Sequence, residues 1–336
     1  MGSESVNPHD PGVEAGATLA GLLPSTAAAK AIETPGGGTV RVGTASWTDP
    51  TMTAPGVFYP AGASSAEDRL RYYSSQFAVV EVDSTYYALP PRSTAEAWVE
   101  RTPPEFVFDV KAHSLMGGQP SEVKRLPKAL REALPAPLAE KTRVYAKDLP
   151  AEIEDEVWRL FREGIEPLET AGRLGAVFLQ FPRWVFPSSA SREQILVARS
   201  RLPGLEVAVE FRNGSWFNEK NAERTLQFLT DNAIPYVMVD GPQGLKSSIP
   251  PLAAVTSPAL AVVRFHGRRV ETWEKAGIPV VERFRYLYDE DQLADWVPRI
   301  RAASKQAGQT HVLLNNCFGN YGTTNARQLA DLLRNA

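Results

Sequence analysis

Polar side chains recur at the ends of apolar segments along this sequence. Four segments end in a polar–apolar–polar pattern: Glu81-Val82-Asp83, Asp109-Val110-Lys111, Glu210-Phe211-Arg212 and Arg264-Phe265-His266. A period of two places both polar residues of each pattern on the same face of a strand. Three further segments end with Gln180, Asp240 and the pair Asn315-Asn316. Because a strand of a parallel sheet is covered on both faces and is nearly all apolar, these polar positions need an explanation.

These residue types are suited to acid–base chemistry on a small polar or anionic substrate. Glu81 and Glu210 are candidates for the general acid and base, and His266 is a candidate proton-transfer group. Lys111 and Arg212 would stabilise a carboxylate, a phosphate or a developing negative charge. The residues expected to bind or orient the substrate are Asp83, Gln180, Arg212, Asp240, Arg264 and Asn315. Buried charges cost several kcal/mol each unless they are paired, so their accumulation indicates a functional pocket.

The metal and nucleophile motifs that would indicate other chemistries are absent from the sequence. There is no H-E-x-x-H and no G-x-S-x-G motif, and Cys317 is the single cysteine. Two histidines, His113 and His266, among scattered carboxylates suit Mg²⁺ or Mn²⁺ better than a closed zinc site. We therefore assign no metal ligand and treat a divalent cation as possible but not required.

The elements that must position these residues alternate between short β-branched segments and longer segments with helical periodicity. The predicted strands are 40–45, 79–84, 106–111, 175–181, 206–212, 235–240, 261–266 and 311–315. The predicted helices are 66–77, 93–101, 152–171, 192–202, 221–233, 289–307 and 325–334. Eight strand–helix units predict an α/β fold of the (β/α)₈ TIM-barrel type, in which active sites lie at the carboxyl ends of the strands.

An open doubly wound sheet is the competing architecture. It is disfavoured because no Gly-rich dinucleotide motif or P-loop follows any predicted strand. The connection between the third and fourth strands is too long for one crossover. It is predicted to contain a helical excursion around Leu126 to Leu134, followed by the long helix.

Charge and composition limit the environment and the partners. Lys and Arg number 36 against 39 Asp and Glu, a formal charge of −3 with both signs scattered. Extended nucleic-acid binding is therefore not expected, although a small basic patch is compatible with these numbers. No segment approaches the ~18 apolar residues of a membrane span, and one cysteine cannot form an internal disulfide. The expectation is a soluble, cytoplasmic protein that does not bind membranes.

The first 39 residues differ from the rest of the chain. They are rich in Ala, Gly, Pro and Thr and end at Gly36-Gly37-Gly38, which predicts a disordered tail before one domain over 40–336. The apolar segment from Ala15 to Leu23 is preceded by acidic residues, unlike a secretion signal.

Several motifs in one order resemble the domain of unknown function 72 family, the YecE-like proteins. They are Gly43-Thr44-Ala45-Ser46-Trp47, Phe58-Tyr59-Pro60, Val80-Glu81-Val82-Asp83-Ser84-Thr85-Tyr86-Tyr87, Gln180-Phe181-Pro182, Glu210-Phe211-Arg212, Arg264-Phe265-His266-Gly267-Arg268 and Asn315-Asn316. The resemblance implies a TIM-type barrel with a polar pocket at the strand ends, but it supplies no reaction. The pocket residues that it implies are Glu81, Lys111, Gln180, Glu210, Arg212, Asp240, Arg264, His266 and Asn315. Many relatives carry a histidine several residues after the third-strand lysine, where this chain has Gln119.

Three functional hypotheses follow. The first is an enzyme, a hydrolase or lyase, in which replacing Glu210 by Gln abolishes turnover. The second is a non-catalytic binding or regulatory module for a phosphorylated ligand or a nucleic-acid terminus. The third is a structural protein without a ligand. The substrate and the oligomeric state are not determined by the sequence.

Overall fold

Eight strands form the centre of the molecule in the computed structural model, which describes residues 28–336. We number them β1 to β8: Thr39–Thr44, Val79–Val82, Val107–Lys111, Leu174–Gln180, Val207–Glu210, Val237–Asp240, Leu260–Phe265 and Gln309–Leu314. All eight predicted strands are present. The residues of β2, β3, β5, β6 and β7 are buried throughout, as expected for strands covered on both faces.

The eight strands form a nearly closed parallel barrel. Their order in the sheet is β5-β4-β3-β2-β1-β8-β7-β6, and every neighbouring pair is parallel. The ends of this order meet at a parallel bridge between Val209 and Tyr236, where the Val209 amide donates to the Pro235 carbonyl at 2.9 Å. The (β/α)₈ prediction is confirmed, and the open sheet is excluded.

Helices cover the outside of the barrel. The longer ones, α1 to α7, are Ala66–Gln76, Arg92–Glu100, Ala151–Thr170, Ser189–Arg201, Ala222–Asp231, Val297–Ser304 and Tyr321–Asn335. Short helical segments are Lys128–Ala133, Ala136–Ala139, Val270–Trp273, Val280–Arg283 and Glu290–Ala294. Ser65 and Ser188 begin α1 and α4 with capping boxes, in which the serine hydroxyl accepts from the backbone three residues on.

The predicted helix 289–307 is two helices in the structure, Glu290–Ala294 and α6. Pro298 lies in the first turn of α6, where a residue without an N–H is tolerated, but it cannot continue a preceding helix. Trp296, between the two helices, is fully buried and donates its indole N–H to Asp240 Oδ2 at 2.7 Å.

The connection between β3 and α3 contains the predicted helical excursion. Its two short helices, Lys128–Ala133 and Ala136–Ala139, are enclosed by an antiparallel pair of short strands, Ser121–Glu122 and Arg143–Val144. Leu126, Leu130 and Leu134 attach the excursion to the main core. We call residues 119–148 the excursion below.

The structure describes part of the predicted N-terminal tail, from residue 28 onwards. Residues Ile32–Glu33 pair with the start of β1, so paired chain begins before residue 40. Residues 1–27, including the apolar segment 15–23, lie outside the described residues, and the disordered tail stays a prediction there. Among residues 28–336, no helix combines the length and apolar character needed to span a membrane.

Candidate functional site

A cavity of about 720 Å³ opens at the carboxyl ends of the strands. Five of the sequence-predicted site residues line it: Asp83, Lys111, Gln180, Arg212 and Asn315. They follow or end β2, β3, β4, β5 and β8, so the barrel brings together side chains from distant parts of the chain. This is the end of the barrel at which TIM-type enzymes bind their substrates.

Lys111 and Asp83 form an ion pair on the cavity wall. Lys111 Nζ lies 2.7 Å from Asp83 Oδ1, with side-chain exposures of 11% and 36%. The ammonium group also lies 4.7 Å from the centre of the Tyr86 ring. The Thr85 hydroxyl donates to the Lys111 carbonyl at 2.6 Å and so holds the turn after β2 against the end of β3. The pair is therefore held by two strands and one turn.

The contact of Lys111 with the Tyr86 ring and a chain of hydrogen bonds from Tyr86 connect this ion pair to Arg212 along the wall. The Tyr86 hydroxyl donates to Gln119 Oε1 at 2.6 Å, and Gln119 Nε2 donates to the Gln180 carbonyl at 3.1 Å. Arg212 Nη2 then donates to Gln180 Oε1 at 3.4 Å. Gln119 thus supplies an amide that both donates and accepts but does not titrate.

Glu81, Glu210 and Arg264 form a fully buried network that does not line the cavity. Arg264 Nη2 donates to both oxygens of Glu81, at 2.8 and 2.6 Å, and Arg264 Nη1 is paired with Glu210. Glu210 is also paired with Arg212 through its other oxygen. The two predicted catalytic carboxylates are therefore brought together, but by a guanidinium and beneath the cavity.

The two carboxylates have opposite pKa shifts. Burial raises the pKa of Glu81 to about 7, against the opposing effects of Arg264 and Lys111. Burial would also raise the pKa of Glu210, but the Arg212 and Arg264 guanidinium groups outweigh it and hold that pKa well below the ordinary value. Glu210 is therefore ionised at neutral pH, and Glu81 exchanges its proton near pH 7.

His266 is a neutral, buried imidazole. Burial, assisted by the charge of Arg212, lowers its pKa to about 3. The Asn315 side-chain amide donates to Nδ1 at 2.9 Å, which places the imidazole proton on Nε2, 3.3 Å from Glu210 Oε1. His113 is also buried, its pKa is lowered to about 4, and it does not line the cavity.

Two predicted polar positions belong to other contacts. Asp240 accepts from Arg268 Nη2, the Tyr288 hydroxyl and the Trp296 indole, all at 2.7 Å, and so anchors the chain after β7 rather than facing the cavity. Asp109 lies inside the barrel, where both of its carboxylate oxygens are 3.0 Å from Nδ1 of His311.

Sequence reasoning missed the aromatic and basic side chains that loops contribute to the cavity. Trp184 follows β4, and Trp273, Arg283 and Phe284 come from the loop after β7. The Arg212 guanidinium lies 5.2 Å from the centre of the Trp273 ring. The available signal was the Arg183-Trp184 pair close behind the strand-end motif Gln180-Phe181-Pro182, because βα loops form the site in this fold.

The described part of the chain does not bring together the donor groups that a metal ion needs. Among residues 28–336, no group of three or more His, Cys, Asp or Glu side chains could hold a metal ion. Cys317 lines the cavity, and burial raises the pKa of its thiol well above the ordinary value, which favours the unreactive thiol form. The suggestion of Mg²⁺ or Mn²⁺ stays an untested prediction.

Comparisons with known proteins place the chain among its relatives. The sequence model of the family described as "Protein of unknown function DUF72" matches residues 41–336. The UPF0759 protein YunF of Bacillus subtilis (strain 168) is 29% identical over 278 residues, 82% of this chain and 89% of that protein. A crystal structure of a DUF72 family protein from Enterococcus faecalis V583 has a TM-score of 0.70 at 26% identity, covering 88% of this chain and 95% of that one. A DUF72 family protein from Thermotoga maritima MSB8 has a TM-score of 0.67 at 29% identity, covering 88% and 98%.

Proposed function

This chain belongs to the DUF72 family of proteins of unknown function, and because that membership assigns no reaction, we propose a function from the cavity itself. The proposal is that the strand-end cavity binds a small anionic substrate between Lys111 and Arg212. Acid–base chemistry would then be carried out by the Asp83–Lys111 pair.

The observation that carries this proposal is the placement of two cations on one cavity wall. Lys111 and Arg212 both line the cavity, and the chain Tyr86, Gln119 and Gln180 connects them. Each is held in place before a ligand arrives, Lys111 by Asp83 and Arg212 by Glu210. Donors fixed in advance in a partly water-excluded site bind and stabilise negative charge at low reorganisation cost.

Asp83 and Lys111 are the acid–base groups that can touch a substrate. Their 2.7 Å contact lets a proton from the substrate pass to the Asp83 carboxylate while the Lys111 ammonium stabilises the negative charge left behind. Asn315 and Gln180 have amide groups in the cavity wall and would orient the substrate. This chemistry fits the carboxylate acid–base hypothesis, but with Asp83 in the role first given to Glu81 and Glu210.

Glu81, Glu210, Arg264 and His266 act as positioning residues in this proposal. They are fully buried, and none lines the cavity. Glu210 holds Arg212 at the cavity and Arg264 beneath it, and Arg264 in turn neutralises Glu81. Their effect on a substrate would pass through the orientation of Arg212.

A second candidate function is a non-catalytic module that binds a phosphorylated ligand. The observation that favours it is that three of the four side chains that the sequence suggested as catalytic, Glu81, Glu210 and His266, are fully buried and do not line the cavity. Such a module would use the same two cations, so the two candidates differ in turnover and not in the binding residues.

Binding is tested first, with inorganic phosphate and a panel of small phosphate esters and carboxylates, by calorimetry and thermal unfolding. Lys111→Met and Arg212→Gln are each expected to weaken the best ligand by about 10-fold or more, since hydrogen bonds to charged groups contribute about 1.5–3 kcal/mol. The matched controls are Lys128→Met, whose side chain is 79% exposed, and Arg224→Gln on the outer helix α5. Equal affinities in all four variants would contradict the proposal.

Turnover separates the two candidate functions. The wild-type protein and Asp83→Asn are incubated with each ligand that binds, and products are followed by NMR. The enzyme proposal expects product with the wild type and a loss of turnover with retained binding in Asp83→Asn. Ligands that bind through Arg212 but are never converted would support the binding module.

A further inference from the structure

Exposed apolar side chains are concentrated around the mouth of the cavity. Among residues 28–336, the large apolar side chains that are exposed are Tyr87, Tyr145, Trp184, Phe186, Val197, Val270 and Val280. Tyr87, Trp184 and Val280 line the cavity, Phe186 lies two residues from Trp184, and Val270 begins the short helix that ends at Trp273. Trp184 and Phe186 are 51% and 60% exposed. Apolar surface gathered beside a pocket is typical of an interaction site.

Basic side chains lie beside four aromatic residues of the cavity, of which Tyr87 and Trp184 are exposed and Tyr86 and Trp273 are not. Lys111 lies 4.7 Å from the Tyr86 ring centre, and the Arg125 guanidinium lies 5.4 Å from that of Tyr87. Arg212 lies 5.2 Å from the Trp273 ring centre. Arg183 and Trp184 are adjacent in the chain and both line the cavity. Four aromatic residues of the cavity therefore each have a basic neighbour.

The basic surface continues onto the excursion. A second cavity of about 350 Å³ is lined by Val123, Lys124, Arg131, Ala139, Lys141 and Thr142, which include three cations and no carboxylate. Nearby, Glu122 is shared by three cations, Lys124 at 3.4 Å, Arg125 at 3.0 Å and Arg143 at 3.9 Å. Arg125 links this surface to the mouth through its contact with Tyr87. The excursion therefore presents local positive charge on a chain whose formal charge is −3.

Flat rings interleaved with cations match one class of ligand better than others. Single-stranded nucleic acid presents unstacked bases that stack on aromatic side chains and phosphates that pair with cations. An acidic peptide would use the cations but not exposed rings, and a neutral sugar would use the rings but not the cations. A duplex keeps its bases stacked and offers none to Trp184 or Tyr87.

We propose that the mouth and the excursion bind the last few nucleotides of a single-stranded nucleic acid, so that its terminal phosphate enters the strand-end cavity. The inference rests on the proposed function, because Lys111 and Arg212 would receive that phosphate. Trp184 and Tyr87 stack on bases, and Arg125 and Arg143 contact phosphates of the following nucleotides. The net charge of the protein limits the contact to a short segment.

The test is fluorescence anisotropy with a 5′-phosphorylated ten-nucleotide oligothymidylate labelled at its 3′ end, measured from 20 to 200 mM salt. We expect affinity to fall with salt, and Arg125→Gln combined with Arg143→Gln to reduce the slope by about 1.4, or 0.7 for each phosphate that is no longer neutralised. Trp184→Ala is expected to weaken binding by about fivefold or more, whereas Trp184→Phe retains a ring and most of the affinity. Arg224→Gln on α5 is the matched control and should bind as the wild type does.

Three results would overturn the inference. The first is that the oligonucleotide does not bind at 20 mM salt with 100 µM protein. The second is that Trp184→Ala and Trp184→Phe bind it with equal affinity. The third is that inorganic polyphosphate displaces the oligonucleotide equally well from the wild type and from Trp184→Ala. The last result would indicate general attraction of polyanions without base stacking. Binding of small anions by the Arg125→Gln, Arg143→Gln double variant is measured in parallel. If the double variant still binds small anions and the wild type does not bind the oligonucleotide, the inference is wrong and the small-anion proposal stands.

Discussion

Glu81 makes the stability of this protein depend on pH in a way that can be isolated by one substitution. Its carboxyl group is fully buried, accepts two hydrogen bonds from Arg264 and has its pKa raised by burial to about 7. Glu81→Gln keeps the shape of the side chain and removes the titration. The two proteins should therefore differ in stability by an amount that changes with pH.

The size and sign of that change follow from the shift in pKa. Between the ordinary value of 4.5 and about 7, the folded protein holds a proton on Glu81 that the unfolded chain has released. The Glu81 contribution to the free energy of unfolding is therefore fully present below pH 4.5 and is lost as the pH rises to about 7. The loss is about 3 kcal/mol, at 1.36 kcal/mol per pKa unit.

His266 works in the opposite direction and conceals this effect in the wild type. Its folded pKa of about 3 means that its contribution is lost as the pH falls below its ordinary value of 6.5. Burial also lowers the pKa of His113 to about 4, so two imidazoles oppose the one carboxyl over this range. The stability of the wild type should therefore rise with pH between pH 4.5 and 6.5, and that of Glu81→Gln should rise more steeply.

The assay is guanidinium chloride unfolding of both proteins at half-unit steps from pH 4.5 to 8. The stability of Glu81→Gln relative to the wild type should increase by about 3 kcal/mol from pH 4.5 to 7 and then level off. Glu152→Gln, an exposed position on α3, is the matched control and should give a constant difference. A difference for Glu81→Gln that stays within about 1 kcal/mol across the range would refute the buried-carboxylate reasoning.

Three further predictions concern single positions. Gly175→Ala would place a methyl carbon 2.4 Å from Asp109 Oδ1 and should cost about 1–3 kcal/mol or more in urea unfolding, whereas Gly241→Ala, with 3.7 Å to its nearest neighbour, should be tolerated. Asp240→Asn weakens the ion pair with Arg268 and should lower the free energy of unfolding by about 2–3 kcal/mol while leaving phosphate affinity unchanged. A reduced phosphate affinity would show that Asp240 contributes to the anion-binding site. Tyr86→Phe leaves an amide oxygen without its 2.6 Å donor and should weaken small-anion binding severalfold in calorimetry, and unchanged affinity would show that the hydrogen-bonded wall does not support the anion.

Local patterns were sufficient for the eight strands and for their faces. β-Branched segments that alternate with segments of helical periodicity predicted all eight strands. Both periodicities are set by residues close together in the chain, and parallel strands need such crossovers between them. The same period identified Asp83, Lys111 and Arg212 as inward-facing side chains at strand ends, and they line the cavity. The break in the predicted helix 289–307 was also present in the sequence, as Pro298, but its consequence was missed.

Depth within the barrel was decided by the tertiary structure. Two residues along a strand keep a side chain on the same face but move it about 6–7 Å along the barrel, into the next layer of side chains. Glu81 and Glu210 therefore lie one layer beneath Asp83 and Arg212, where Arg264 from a distant strand neutralises them. The partner of each buried charge and the loops that cover the cavity come from segments far away in the chain, so the sequence established which side chains point inward and only the closed barrel established which of them a ligand can reach.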